Sequence, residues 1–336
     1  MAVLQMTAAA LVAPPKGILA ADESSKTMSA RLSAVGVPAT EENRRAYREM
    51  LVTTPGLSTG ISGVILSEET LHQRLTDGRS FPEGLRDAGL LTGIKVDKGT
   101  KELPHTRGET ITEGLDGLLP RLREYVALGA CFAKWRAVLR IGPGTPSPLA
   151  VRANAQALGR YAAACQAAGL VPIVEPEVLM EGTHSLGQCE AVTSLVLLEV
   201  MSELNEYGAD FDAVVLKPNM TLPGSESGRS ATPADIVEAT VGTLTGVPIT
   251  LAGVAFLSGG QTPGQATENL AAMQCLPHFW PLTFSFGRAL VNPALAAWRG
   301  QPGQWDAGQR ALAHRVAMNT VALEGRYNRE QELDPA

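Results

Sequence analysis

Lysine is scarce in this chain. Of the 28 basic side chains among its 336 residues, only seven are lysines, so arginine supplies 21 of the positive charges. Codon bias, with a few lysines retained by chance, would explain this imbalance. Chemistry would explain it as well, because a lysine amine can lose its proton and form a Schiff base, whereas an arginine cannot. The seven candidates are Lys16, Lys26, Lys95, Lys98, Lys101, Lys134 and Lys217.

Other absences exclude whole classes of protein. There is no uninterrupted apolar run of roughly 18 residues, so we expect no transmembrane helix, and the apolar start lacks the basic residues of a signal peptide. A net charge of −6 without a basic run disfavours nucleic-acid binding. The four cysteines form no CxxC pair and the five histidines form no HxH or HExxH motif. We therefore expect a cytoplasmic enzyme with reduced thiols and no metal site.

Short β-type segments alternate with helical patterns along the whole chain. The sequence predicts eight strands, at residues 17–22, 60–66, 93–97, 130–139, 170–175, 213–217, 248–256 and 282–286. Such alternation indicates an α/β fold with a parallel sheet, and eight units indicate a (β/α)₈ TIM barrel, with a doubly wound open sheet as the alternative. No linker divides the chain. We therefore expect one barrel domain over residues 1–336, with a short N-terminal helix at residues 2–12 and a short C-terminal extension at residues 328–336.

Charged side chains lie near the carboxyl ends of the predicted strands. Because side chains alternate between faces, Lys95 shares a face with Asp97, and Lys134 shares one with Arg136. Inward residues at these strand ends form the active site of a barrel. Charges in a core are costly unless they are paired. The pattern therefore predicts one site in which these groups offset one another, and a layer of structural ion pairs is the alternative.

A second group of residues follows the last two predicted strands. The turn Ser258-Gly259-Gly260 can direct backbone N–H groups at an anion, and Thr262 begins a helix whose positive end adds to the attraction. Arg288, after strand eight, can bind a phosphate bidentately. Loops after strands seven and eight are the usual phosphate site of such barrels. We predict a phosphate site here, and Lys95 and Arg136 would suit a second phosphate at the other end of a substrate.

Two lysines best fit positions deep in the predicted site. Lys134 and Lys217 would repel each other, which lowers the pKa of one ammonium group and frees its amine at neutral pH. A free amine that attacks a ketone gives an iminium, an electron sink that stabilises the carbanion left by carbon–carbon cleavage. The carboxylates of Asp22, Glu175 and Glu177 are available to shuttle protons.

These residues lie in segments that resemble one family, the class I, Schiff-base-forming fructose-bisphosphate aldolases. The resemblance runs in order from about residue 12 to residue 327. No single segment is specific, but so many in the same order are. The clearest are GILAADES at 17–24, GIKVDKG at 93–99, FAKWR at 132–136, VPIVEPE at 171–177, LKPNM at 216–220, FLSGGQ at 256–261 and TFSFGRAL at 283–290.

The resemblance implies catalytic roles for five of these residues. Lys217 matches the lysine that forms the imine. Glu175 matches the acid–base group that dehydrates the carbinolamine. Asp22 matches the carboxylate that takes the proton of the C4 hydroxyl during cleavage. Lys134 matches a cation of the site lining, and the resemblance implies Glu177 as its partner.

The resemblance also implies binding residues. Arg31 matches one of two adjacent basic residues that face the second phosphate, and here Ala30 stands in place of the other. That departure leaves open the preference between fructose 1,6-bisphosphate and fructose 1-phosphate. The site for the phosphate on carbon one is matched by Ser258, Gly259, Gly287 and Arg288. The cationic lining of the family's active site is matched by Lys95, Lys134 and Arg136.

The implied reaction is the reversible cleavage of fructose 1,6-bisphosphate to dihydroxyacetone phosphate and glyceraldehyde 3-phosphate, in glycolysis and gluconeogenesis, with no cofactor and no metal. The implied partner is a small sugar phosphate, and neither nucleic acid nor a membrane is expected as a partner. Because members of this family often form tetramers, the resemblance also implies a homo-oligomer, with a tetramer as the expected state. A Schiff-base aldolase for another ketose phosphate, fructose 1-phosphate or sedoheptulose 1,7-bisphosphate, is an alternative. A barrel that serves only as a scaffold is disfavoured, because the sequence retains all of the central charged residues of the family's site. These are Asp22, Lys134, Glu175 and Lys217.

The end of the chain departs from the animal members of the family. Those members continue past the position of Tyr327 with a tail that ends in a tyrosine, which assists proton exchange on the enamine. This sequence stops at Ala336 without a terminal tyrosine. The resemblance therefore implies that another acid, or water, protonates the enamine.

Overall fold

A computed structural model describes residues 3–333, and a barrel of eight parallel strands lies at its centre. The described residues contain ten strands, eight in the barrel and two (β4 and β5) in a separate hairpin: β1 (Gly17–Ala21), β2 (Ile61–Leu66), β3 (Leu91–Lys95), β4 (Thr100–Glu102), β5 (Thr110–Thr112), β6 (Phe132–Leu139), β7 (Val171–Val178), β8 (Val215–Leu216), β9 (Gly253–Phe256) and β10 (Leu282–Phe284). The barrel order is β1-β2-β3-β6-β7-β8-β9-β10, with every neighbouring pair parallel. This order confirms the predicted (β/α)₈ barrel.

Twelve α-helices accompany the strands in the described part of the chain. They are α1 (Val3–Leu11), α2 (Ser25–Ala34), α3 (Glu41–Val52), α4 (Glu68–His72), α5 (Phe81–Asp87), α6 (Leu118–Ala127), α7 (Pro148–Ala168), α8 (Leu186–Glu206), α9 (Pro233–Thr243), α10 (Pro263–Met273), α11 (Arg288–Trp298) and α12 (Trp305–Leu323). Several begin at a side-chain cap: Ser147 caps α7, and Thr232 caps α9. Within residues 3–333, no helix combines the length and the apolar character needed to cross a membrane.

The structure differs from the sequence prediction in local detail. β4 and β5 form an antiparallel hairpin outside the barrel, which the sequence did not predict because each strand has three residues and little burial. The strand predicted at 213–217 is reduced to Val215–Leu216, since a 3₁₀ turn occupies Phe211–Ala213. Helix α1 lies in the predicted segment 2–12, and the predicted extension 328–336 contains a 3₁₀ turn at Arg329–Leu333. Residue 2 and residues 334–336 lie outside the described residues.

The barrel closes at a seam between β1 and β10. Across this seam the Ala20 N–H donates a hydrogen bond to the Phe286 carbonyl at 3.0 Å. On its other side, β1 pairs with β2 up to Ala21, which lies opposite Leu66. The chain therefore leaves its strand ladder just before Asp22.

An apolar plug fills one end of the barrel. Residues of six strands pack there against the N-terminal segment in one fully buried cluster. The next inward positions along the same strands are polar: Lys134 follows Phe132 on one face of β6, and Glu175 follows Ile173 on one face of β7. The plug thus sets a dry base beneath the charged residues. Its members are Ala8, Leu11, Val12, Ile18, Ala20, Ile65, Phe132, Val171, Ile173, Val215 and Ala255.

We predict that replacing Gly93 by alanine destabilises the plug. A Cβ atom at Gly93 would overlap the ring of Phe132, which is fully buried and has no room to move. Overpacking of this kind costs about 1–3 kcal/mol. Urea denaturation should show a lower free energy of unfolding for G93A. The matched control is G187A, where a Cβ meets nothing within 4 Å in α8, and there we expect a neutral or slightly stabilising effect. Equal stability of G93A and the parent would contradict the packing argument.

Candidate active site

A cavity of about 510 Å³ opens at the carboxyl ends of the barrel strands. It contains side chains from the ends of β1, β3, β6 and β7 and from the turns after β8, β9 and β10. The structure brings all twelve residues of the predicted site to this one cavity. They are Asp22, Arg31, Lys95, Lys134, Arg136, Glu175, Glu177, Lys217, Ser258, Gly259, Gly287 and Arg288.

Four buried groups of alternating charge form the centre of the cavity. The Lys134 ammonium lies 2.9 Å from Asp22 Oδ2 and 2.6 Å from Glu175 Oε2. The Lys217 ammonium lies 3.1 Å from Glu175 Oε1. None of the four residues is more than 7% exposed. Buried charges of this kind persist only when each has an opposite partner at close range.

These neighbours shift the pKa values of the two lysines in opposite directions. Burial lowers the pKa of Lys217, and the like charge of Lys134 lowers it further against the opposing effect of Glu175. Burial also acts to lower the pKa of Lys134, but Asp22 and Glu175 outweigh it and raise that pKa. Lys217 is therefore the amine that loses its proton more readily. The expected repulsion between the lysines is present, although burial is the larger cause.

The two central carboxyl groups are held in their ionised form. Burial alone would raise the pKa of Asp22, but Lys134 and Lys217 outweigh it and lower this pKa to about 2. The same two cations lower the pKa of Glu175 against the effect of burial. Both groups can therefore accept a proton at neutral pH.

The partner predicted for Lys134 was wrong. Glu177 lies with its Oε2 atom 2.5 Å from Nε of Arg136, and Glu175 takes the place beside Lys134. Two residues along a strand advance by about 7 Å, so Glu177 lies one layer nearer the mouth than Glu175. Of these two carboxylates, only that of Glu175 reaches the Lys134 ammonium.

The outer cations of the cavity are also paired. The Lys95 ammonium lies 2.5 Å from Asp97, and Arg31 forms an ion pair with Glu23. Within residues 3–333, no carboxylate lies within ion-pair distance of Arg288. Arg288 is therefore the guanidinium most available to an incoming anion.

Backbone geometry shapes the predicted phosphate side. A Cβ on Gly259 would lie 2.8 Å from the Leu257 side chain and 3.3 Å from the Glu177 carboxylate, so a larger residue here would require the Leu257 side chain to move. Thr262 caps the following helix α10 through the backbone N–H of Gln265. The geometry leaves the N–H groups of the turn beside the cavity, where a phosphate oxygen could accept from them.

Sequence reasoning missed several residues of the cavity wall. Glu23, which pairs with Arg31, was not assigned to the site, whereas Asp97 pairs with Lys95 on the face that strand alternation predicted. The Ser285 hydroxyl is buried in the wall without a hydrogen-bond partner in the described structure. Its position two residues after Thr283 on an inward face was the available signal. Within residues 3–333, no cluster of three His, Cys, Asp or Glu side chains is arranged to hold a metal ion.

We predict that Lys134 tunes the amine of Lys217. Replacing Lys134 by methionine removes the like charge and leaves Lys217 as the cation nearest to Glu175, so the pKa of Lys217 should rise. Reductive methylation of Lys217 by formaldehyde, followed across a pH series by mass spectrometry, should then require higher pH than in the parent. K134R keeps the positive charge and serves as the control with a smaller shift. A profile for K134M that is unchanged or moved to lower pH would contradict this electrostatic account.

Comparison with known proteins identifies the family. The model of the glycolytic fructose-bisphosphate aldolase class-I family matches residues 3–335. Fructose-bisphosphate aldolase of Dictyostelium discoideum is 48% identical over 335 residues, covering 98% of this chain and 94% of that protein. The cytoplasmic isozyme of Spinacia oleracea is 49% identical over 320 residues, covering 94% of this chain and 89% of that protein.

A solved structure agrees with these matches. It is fructose-bisphosphate aldolase of Plasmodium falciparum in complex with TRAP and a small-molecule inhibitor. Its TM-score to this chain is 0.95 at 44% sequence identity, covering 97% of this chain and 95% of that one. Fold, sequence and family model therefore agree with the resemblance drawn from the motifs, and the chain belongs to the class-I fructose-bisphosphate aldolase family.

Proposed function

We propose that this chain performs the reaction of its family through a Schiff base on Lys217. As a class-I fructose-bisphosphate aldolase it is an aldehyde-lyase, which cleaves fructose 1,6-bisphosphate reversibly to dihydroxyacetone phosphate and glyceraldehyde 3-phosphate. The observation that carries the assignment to Lys217 is the buried row of alternating charges. In that row Lys217 is the amine whose pKa is lowered, and it faces a carboxylate at 3.1 Å.

Glu175 is suited to the formation of the imine. The neutral Lys217 amine attacks the C2 ketone and gives a carbinolamine, and loss of its hydroxyl as water requires a proton donor. Glu175 Oε1 lies beside the Lys217 nitrogen, and its other oxygen is beside Lys134. We infer that Glu175 takes the proton released on attack and returns it to the departing hydroxyl.

Asp22 is suited to the cleavage step. Its ionised carboxylate takes the proton of the C4 hydroxyl, the C3–C4 bond breaks, and the electron pair passes into the iminium to form an enamine. The C4 oxygen becomes the carbonyl of glyceraldehyde 3-phosphate. Lys134 contacts both Asp22 and Glu175, so we infer that it holds the two carboxylates in place through both steps. The enamine then gains a proton on C3, and water releases dihydroxyacetone phosphate from Lys217.

The phosphate sites follow from the distribution of cations. We propose that Arg288, with the backbone at Ser258, Gly259 and Gly287, binds the phosphate on carbon one. The second phosphate would lie at the opposite side of the cavity, near Arg31, with Lys95 and Arg136 between the two. Arg31 is held there by Glu23 and by the Asn292 side-chain oxygen at 2.7 Å.

We propose further that the chain works in the cytoplasm as a homo-oligomer, with a tetramer as the expected state. The spinach relative is named a cytoplasmic isozyme. Large apolar side chains remain exposed on this single chain, among them Leu198 at 56%, Ile249 at 70% and Phe279 at 79%. Contact with further copies would bury such surfaces. No cofactor is needed for the proposed cleavage, since the iminium itself supplies the electron sink.

The Schiff base can be tested by trapping. Incubation with dihydroxyacetone phosphate and EDTA, followed by borohydride, should give a stable adduct that mass spectrometry maps to Lys217. K217R keeps the charge but cannot form the imine, so we expect no adduct at this site and near-complete loss of turnover. An adduct on another residue, or ordinary kcat in K217R, would refute the assignment, and loss of parent cleavage in EDTA would point to a metal enzyme.

The second phosphate site can be tested by substrate preference. Arg31→Ala should lower kcat/KM for fructose 1,6-bisphosphate by about 10- to 100-fold, the size expected for the loss of charge-assisted hydrogen bonds. Fructose 1-phosphate lacks the second phosphate and provides the internal control, so its kcat/KM should stay within error of the parent. Equal losses for both substrates would show that Arg31 does not select for the second phosphate.

A further inference from the structure

We propose that Arg48 is a positioning residue that fixes the backbone on either side of Asp22. Arg48 lies on α3 and is fully buried, with 0% exposure. Its Nε donates a hydrogen bond to the Ala21 carbonyl at 3.0 Å, and its Nη2 donates to the Glu23 carbonyl at 2.7 Å. The two accepting carbonyls belong to the residues immediately before and after Asp22. One side chain therefore holds both flanks of the proposed base.

The position of Asp22 explains why such a contact is needed. Asp22 follows the last residue of β1, and β1 borders the seam where the barrel closes. The β1–β2 register ends at Ala21. The turn that carries Asp22 therefore continues beyond the ladder, and the guanidinium supplies donors where strand neighbours no longer do. The Asp22 side chain is fixed separately, at its tip, by Lys134.

The surroundings of Arg48 keep it charged and oriented. Burial lowers the pKa of Arg48, and the carboxylates of Glu69 and Asp22 are among the groups that oppose this shift. Glu69 Oε2 lies 4.0 Å from Nη1 of Arg48 and is itself held by Nε of Arg44 at 2.9 Å. The Glu23 carboxylate lies 3.8 Å from Nη2. Carboxylates thus flank the guanidinium at ion-pair distance, while its two hydrogen bonds to the Asp22 turn set its orientation.

Stability alone does not account for this arrangement. A buried ion pair is often no more stabilising than apolar side chains of the same volume, because desolvation offsets the attraction. A guanidinium does have one property that no apolar residue shares: several N–H donors in a rigid plane, which can reach two carbonyls at once. A lysine ammonium at the same place lacks this planar fork. The proposal therefore predicts a functional difference between Arg and Lys at position 48.

The inference rests on the role proposed above for Asp22, and it concerns one step. Imine formation uses Glu175, on β7, and Lys217, just after β8, and neither belongs to the Asp22 turn. Cleavage requires the Asp22 carboxylate to meet the C4 hydroxyl. Displacement of a catalytic group by about 1 Å can cost on the order of 100-fold in rate. Loosening the Asp22 turn should therefore slow cleavage and leave imine formation intact.

The experiment compares R48K with R45K. Arg45 lies on the same helix but pairs with Glu42 and Glu49, away from the Asp22 turn. For each variant, borohydride trapping with dihydroxyacetone phosphate counts the sites able to form the imine, and the cleavage rate of fructose 1,6-bisphosphate is expressed per trapped site. For R48K we expect trapping close to the parent, kcat per site lower by about 100-fold, and a much smaller change in KM. R45K should match the parent in trapping, in kcat per trapped site and in KM.

The outcomes separate this proposal from the one on which it rests. D22N is included as a third variant. If D22N loses cleavage while R48K cleaves at the parent rate per trapped site, the role of Arg48 is overturned and that of Asp22 stands. If D22N cleaves normally, the proposed role of Asp22 fails and the positioning role falls with it. If R48K loses trapping in proportion to cleavage, with no loss per trapped site, Arg48 is only structural and the proposal is again overturned.

Discussion

The contact of one ammonium with two carboxylates organises the whole site. Lys134 lies between Asp22 and Glu175, which extend from opposite parts of the barrel, and without it two buried anions would face each other. Lys134 contacts Oε2 of Glu175, and the other oxygen, Oε1, contacts Lys217. The Lys134 ammonium contributes to the low pKa of Asp22, to the ionisation of Glu175 and, together with the larger effect of burial, to the lowered pKa of Lys217. The apolar plug beneath keeps water away and so strengthens each of these interactions.

The sequence predicted the fold well because barrel strands are buried on both faces and therefore give continuous apolar segments. All eight predicted strands overlap an observed one, and the barrel order follows from their alternation with helices. The hairpin of β4 and β5 could not be predicted in the same way. Its strands are short and exposed, so hydrophobic burial leaves no pattern in residues such as Thr100 and Glu102. Strand ends were also uncertain, because they depend on where the chain turns rather than on composition.

The candidate site was predictable as a set of residues but less so as a set of contacts. Alternation within a strand shows which side chains share a face, so Lys134 and Arg136 could be placed together. The depth of a residue in one strand relative to another depends on the shear of the barrel, and this is why Glu177 was given the wrong partner. Arg48 illustrates a second limit. It stands in a helix beside Arg44 and Arg45, and nothing in the sequence distinguishes the buried one from its neighbours.

The outer ion pairs have a consequence for which molecules the cavity admits. Arg31, Lys95 and Arg136 each have a carboxylate partner, so an arriving anion must displace that partner at these three cations, whereas Arg288 has none within ion-pair distance among residues 3–333. A single small anion therefore gains little at these three paired cations. A ligand succeeds through the spacing of its two ends and through the ketone that Lys217 can capture. In the free protein the carboxylates of Glu23, Asp97 and Glu177 therefore compete with the ligand for these cations, and this competition contributes to selectivity before the reaction begins.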